Sequence, residues 1–140
     1  MKTDLVFLTD DHPSFLGSKF LRARQLSAIA RKFLDGQGVT ARTSSKPRTA
    51  CGAVVVLNKS FLALASPEQV LALKARANAV LADFVDHPAD PDLCRVVDGF
   101  LASSYAQERS LKEAFPDKPT FRVLHHADLR IPRDCASQAA

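Results

Sequence analysis

Polar side chains stand at the ends of several predicted strands and could together form one binding site. Histidine and aspartate can act as general bases, and His87 is the first choice because a histidine titrates near neutral pH. Each residue taken alone could instead cap a helix or close a turn, but the set predicts a cleft. The predicted substrate-binding residues are Asp10, Asp11, His12, Asn58, Lys59, Asp86, Ser103, His126 and Asp128.

The elements that must bring these residues together alternate between strands and helices. The alternation is clearest in the stretch from 98 to 128, DGFLASSYAQERSLKEAFPDKPTFRVLHHAD. Asp98–Gly99 is a turn signal, Ser104 can cap a helix and Pro116 stops that helix. Apolar runs on either side of the helix predict two strands, so the stretch is typical of a right-handed βαβ unit. Parallel strands place their carboxyl ends at one edge of a sheet, where ligands of open α/β folds bind.

The same alternation over the whole chain predicts an α/β fold. We expect a single Rossmann-like three-layer sandwich over residues 1–132, with an unstructured tail at 133–140. About six mostly parallel strands should have helices on both faces. The strands are predicted at 4–9, 39–43, 52–58, 79–85, 100–103 and 121–124.

Two helices carry the clearest signals. Ser66, Pro67 and Gln69 predict a helix start with a capping box. A long basic helix is predicted over 18–37, and its buried face is expected to hold Leu26, Ile29, Ala30, Phe33 and Leu34. Lys19 and Arg22 are expected to lie off that face.

The amino-acid composition limits the classes of function that are open to this chain. The chain has 140 residues, of which 46% are hydrophobic and 24% charged, so we expect a globular protein. No apolar run approaches the length of a membrane helix, and a cytoplasmic location is expected. Residues 1–50 carry nine Lys or Arg against four Asp or Glu, a balance of +5 that could face an anionic partner.

The sequence lacks the usual motifs of several kinds of functional site. Three widely spaced cysteines and the adjacent pair His125–His126 fit no metal-ligand spacing. Gly17 stands alone, without a dinucleotide or phosphate-loop pattern, and no nucleophile-elbow motif occurs. The aromatic residues are not interleaved with basic ones, so nucleic acid is an unlikely partner.

The segment from about 52 to 131 resembles the N-terminal domain of GT-B glycosyltransferases. The matching parts are GAVVVLNKS, SPEQVLALKAR, VLADFVDHP, VDGFLASSYAQERSL and FRVLHHADLRI. The glycine-rich loop that the family has after the first strand is replaced here by DDHPSFLGSKF.

This resemblance implies the acceptor-side half of a glycosyltransferase, with a glycan or glycolipid acceptor. It also implies that a sugar nucleotide binds a second, C-terminal domain, so this domain alone should bind no cofactor and transfer no sugar. Lys19, Arg22 and Arg48 would flank the cleft and favour an anionic acceptor or an anionic membrane surface, which would place the protein at the inner membrane face.

An alternative resemblance is to the receiver domain of response regulators. LVFLTDDHP looks like that family's first strand and acidic pair. Asn58 stands where the phosphoacceptor aspartate is expected, and Ser103–Ser104 replace the expected lysine. This alternative implies a degenerate receiver-like domain that acts as a protein-interaction module.

Overall fold

A computed structural model of the chain describes residues 2–15, 17 and 19–124. The described part contains one sheet of six strands, all parallel, in the order β2-β1-β3-β4-β5-β6. The predicted α/β sandwich is therefore confirmed. His126, Asp128 and the tail at 133–140 lie outside the described residues. The strands are β1 (Thr3–Leu8), β2 (Val39–Ser44), β3 (Val54–Asn58), β4 (Ala79–Asp83), β5 (Gly99–Ala102) and β6 (Thr120–Arg122).

The helices occupy the connections between the strands. A π-helical segment, Lys19–Arg24, leads directly into the first α-helix, and 3-10 turns lie at Pro13–Phe15 and Pro47–Ala50. The α-helices are α1 (Gln25–Phe33), α2 (Lys59–Leu62), α3 (Pro67–Lys74), α4 (Pro91–Val96) and α5 (Tyr105–Ala114).

Both faces of the sheet are covered, by different numbers of helices. On one face, Leu57 and Phe100 belong to a large buried cluster with residues of α2 to α5, such as Leu73 and Leu111. On the other face, a smaller cluster joins strand residues to the segment 19–33 and contains Phe7, Ala23, Leu26, Val56 and Leu101. The alternation of side chains along each strand produces these two faces.

Side-chain caps explain where the helices begin. The Ser66 hydroxyl accepts from the Gln69 N–H, and the Gln69 side chain accepts from the Ser66 N–H. The predicted capping box is therefore confirmed, as is the cap at Ser104, whose hydroxyl accepts from the Gln107 N–H. Asp90 caps α4 in the same way.

The first long helix is shorter than predicted and buries a different face. Its α-helical part ends at Phe33, whereas the helix was predicted to continue to residue 37. Leu26 is buried as expected, but Ile29 is 40% exposed and Phe33 is 67% exposed.

The buried face includes polar residues that an apolar pattern passes over. Arg22, Ala23, Leu26 and Ser27 are buried, and their spacing is that of one helix face. Ala23 and Leu26 pack against strand residues, so this face turns toward the sheet and Ile29 and Phe33 turn toward solvent. The expectation that Arg22 lies off the buried face is wrong.

The strand order creates a crevice at the carboxyl edge of the sheet. The chain leaves β1 for β2 on one side, while β3 and the later strands lie on the other side of β1. In open α/β sheets, such a change of direction leaves room for a ligand between the loops after the two neighbouring strands. Here these loops follow β1 and β3.

Candidate functional site

The predicted site residues in the described part of the chain all lie at the carboxyl edge. Asp10, Asp11 and His12 follow β1, Asn58 ends β3, and Asp86 and His87 follow β4. Ser103 follows β5. Their side chains have different roles, which their hydrogen bonds distinguish.

Asn58 and Ser60 join the loop after β1 to the start of α2. The Asn58 side-chain oxygen accepts from the Ser60 N–H at 3.1 Å and from its hydroxyl at 2.9 Å. The Ser60 hydroxyl accepts in turn from the Asp10 N–H at 2.9 Å. Because Asn58 is only 1% exposed, its side chain shapes the edge and does not face a ligand.

Ser103 fixes the loop after β4. Its hydroxyl donates to the Val85 carbonyl at 2.9 Å, and the Gln107 side-chain amide donates to the same oxygen, also at 2.9 Å. Val85 has a φ of 61°, which is uncommon for a β-branched residue. Two donors on one carbonyl hold this strained loop in place, so Ser103 positions the edge.

The two described histidines are both exposed. The His12 ring accepts from the Ser14 N–H through Nδ1 at 3.2 Å, and its centroid lies 5.8 Å from that of Phe15. His87 follows the turn after β4, where its backbone N–H donates to the Phe84 carbonyl at 3.0 Å. Neither histidine lines the two pockets described below. The role of His87 as a general base stays a prediction.

A first pocket, the crevice pocket, lies between the loops after β1, β3 and β4. It has a volume of about 310 Å³. At one side of it, Lys59 Nζ and Asp86 Oδ1 form an ion pair at 2.5 Å. The residues that line the crevice pocket are Ser14, Phe15, Gly17, Leu21, Arg22, Lys59, Val85 and Asp86.

Arg22 reaches this pocket from the interior of the protein. Its guanidinium Nε donates to Asp83 Oδ2 at 2.8 Å, and the two side chains are 0% and 1% exposed. Arg22 was predicted to offer its charge to an anionic acceptor or membrane at the rim of the cleft. That prediction is wrong, because the charge is buried and compensated by Asp83.

A second pocket, the basic pocket, lies where β1 and β2 end beside the π-helical segment. It has a volume of about 380 Å³. Three cations and four hydroxyl side chains surround it, together with one carboxylate. The residues that line the basic pocket are Thr9, Asp11, Lys19, Arg24, Thr43, Ser44, Ser45 and Lys46.

The neighbours of the carboxylate in the basic pocket favour its ionised form. Lys19 Nζ hydrogen-bonds and pairs with Asp11 Oδ1. The hydrogen bond from Lys19 lowers the pKa of Asp11 most, and a hydrogen bond from Ser45 lowers it further. Asp11 therefore stays ionised to a lower pH than an ordinary aspartate, and the three cations around it give the pocket a positive balance.

Arg24, Lys46 and Asp83 were not singled out in the sequence. The basic bias of residues 1–50 indicated an anionic partner but not which cations would meet. Asp83 left a clearer signal, since a charge inside a predicted buried strand needs a partner. Arg48, expected at the cleft, lies in the 3-10 turn Pro47–Ala50 and lines neither pocket.

Some classes of site find no support in the part of the chain that the structure describes. Residues 2–15, 17 and 19–124 contain no group of three or more His, Cys, Asp or Glu side chains placed to hold a metal ion. Within the same ranges, no helix has the length and apolar character needed to cross a membrane. No protein-family profile, no curated protein and no solved structure matches this chain.

Proposed function

We propose that this chain is a binding domain for an anionic, hydroxyl-rich ligand held in the basic pocket. The observation that carries the proposal is the set of three cations, Lys19, Arg24 and Lys46, around one carboxylate at the carboxyl edge. An anionic group such as phosphate would meet Arg24 and Lys46. Hydroxyl groups of the ligand would donate to Asp11 and exchange hydrogen bonds with Thr43, Ser44 and Ser45.

A phosphorylated sugar combines both features. The pocket offers little apolar surface, which suits a polyol better than a lipid tail or an aromatic ring. In the acceptor-side role suggested by the resemblance of residues 52–131 to GT-B glycosyltransferases, this ligand would be the acceptor. The receiver alternative has less support, because Asn58 at its expected phosphorylation position is buried and caps α2.

The proposal is tested by titrating the full chain with three matched ligands: a neutral hexose, inorganic phosphate and a hexose monophosphate. Amide NMR signals of residues 43–46 report on the basic pocket. We expect the hexose monophosphate to bind most tightly and the neutral hexose to cause no saturable change. Raising the ionic strength should weaken binding, because these charges are near the surface.

Charge-removing variants locate the site. Arg24→Gln and Lys46→Gln should each weaken hexose monophosphate binding by about three- to tenfold, which corresponds to one exposed charge-assisted hydrogen bond. Arg76→Gln is the matched control, since Arg76 is exposed and precedes β4 at the opposite edge of the sheet. Equal weakening by all three variants, or binding of the neutral hexose alone, would contradict the proposal.

A further inference from the structure

Arg22 has hydrogen-bonding capacity that no described residue uses. A guanidinium has five N–H donors, and the hydrogen bond to Asp83 uses the one on Nε. Both terminal nitrogens, Nη1 and Nη2, are buried and have no hydrogen-bond partner among the described residues. Buried polar groups are normally hydrogen-bonded, so two buried nitrogens without a partner among the described residues need an explanation.

The charges around the crevice pocket cancel. Arg22 is compensated by Asp83, and Lys59 is compensated by Asp86. An added anion would therefore leave an uncompensated negative charge beside a buried ion pair, which is unfavourable. The basic pocket differs in this respect, since its three cations face one carboxylate.

The other walls of the crevice pocket favour an apolar body. Phe15, Leu21 and Val85 line it alongside the charged residues. Its volume of about 310 Å³ is at the lower end of the range for small-molecule sites. It also lies at the change of direction between β1 and β3, where sheets of this kind bind ligands.

From these features we propose that the crevice pocket binds a small, neutral ligand that carries a carbonyl oxygen on an apolar body. The terminal N–H groups of Arg22 donate to the carbonyl oxygen, and Phe15, Leu21 and Val85 contact the apolar body. Because these nitrogens are closed to water, the ligand reaches them by displacing the side chain of Leu21 or Lys59, which are both partly exposed. This site is distinct from the basic pocket and does not depend on its proposed function.

Three probes share one aromatic ring and differ in the group attached to it. Benzamide carries a neutral carbonyl, benzoate carries a negative charge, and toluene has no polar group. NMR titration of the full chain, followed at the amides of Leu21 and Val85 and at Arg22 Nε, should show saturable binding of benzamide. We expect benzoate and toluene to bind at least about tenfold more weakly, which corresponds to the loss of one good interaction. Benzamide binding should not change with ionic strength.

Variants assign the binding to this pocket. Leu21→Trp should fill the pocket and abolish benzamide binding, whereas Leu71→Trp, at an exposed position of α3, should leave it unchanged. The double variant Arg22→Met/Asp83→Leu removes the donors and keeps the charge balance, so benzamide should lose its advantage over toluene. If that variant does not fold, the loss or retention of benzamide binding in Leu21→Trp tests the proposal by itself.

This test is independent of the test of the basic pocket, because the two use different ligands and different variants. Arg24→Gln and Lys46→Gln should not affect benzamide binding. Tighter binding of benzoate than of benzamide would overturn the proposal in favour of an anion site. Absence of saturable benzamide binding, or binding that persists in Leu21→Trp, would also overturn it.

Discussion

The guanidinium Nε of Arg22 donates a 2.8 Å hydrogen bond to Oδ2 of Asp83, and both side chains are buried. This ion pair joins the π-helical segment after β1 to the carboxyl end of β4. Asp83 is the register partner of Asn58 on β3 and of Leu101 on β5, so the pair lies at the middle of the sheet. It therefore fixes the helix against the edge where both pockets open.

Breaking this ion pair should be strongly destabilising. Arg22→Met and Asp83→Leu should each lower the free energy of unfolding by about 3–5 kcal/mol, because each leaves one buried charge without its partner. The double variant should recover most of this loss, since a buried ion pair can often be replaced by apolar residues. Urea denaturation of the unchanged protein, the two single variants and the double variant measures the coupling free energy between the two residues. Single variants that each cost less than about 1 kcal/mol would show that the pair is not buried in solution.

Cys94 should make the protein less stable at alkaline pH. Burial raises the pKa of its thiol from 9.0 to about 11, with a smaller contribution from Asp90. The folded state keeps this proton after the unfolded state has lost it, so stability falls as the pH rises from about 9 to about 11. Urea denaturation between these pH values should show a shallower decline for Cys94→Ala. Cys51→Ala is the control, because Cys51 is exposed and its removal should leave the slope unchanged.

Removal of the capping box should weaken α3 without affecting ligand binding. Ser66→Ala deletes the hydroxyl that accepts from the Gln69 N–H and should lower the free energy of unfolding by about 1 kcal/mol. Thermal or urea denaturation measures this change. Ser110→Ala, at an exposed position inside α5, should be neutral or slightly stabilising because alanine favours a helix. A similar loss in both variants would argue against the cap.

Lys118 should stabilise the end of α4. Its Nζ donates to the carbonyl oxygens of Cys94, Arg95 and Val97 at 3.0, 2.7 and 2.5 Å. Lys118→Met removes this charged donor from carbonyls that have no further helical partner, and should cost about 1–3 kcal/mol in urea denaturation. Lys112→Met is the matched control, since Lys112 is exposed and pairs with Glu108 at 3.4 Å. If Lys118→Met costs no more than the control, the capping role is wrong.

Local signals in the sequence were enough to predict the elements of the fold. The apolar runs, the capping box at Ser66 and the cap at Ser104 depend on residues within one turn of each other, so they could be recognised without knowing the rest of the structure. Strand–helix alternation then required parallel strands, and these gather Asp11, Asp86 and Ser103 at one edge. The class of fold and the location of the edge were therefore determined by the sequence alone.

Which side chains meet at that edge, and how they pair, was decided only by the tertiary structure. The first helix turns toward the sheet a face that includes the polar side chains of Arg22 and Ser27, and this orientation leaves Phe33 exposed. The order of the strands places β4 within reach of Arg22, 61 positions before Asp83 in the chain. No local pattern encodes such a pairing, because it depends on two side chains that meet only when the sheet has formed and not on the propensity of either segment. Once both charges are buried, each needs the other as its partner.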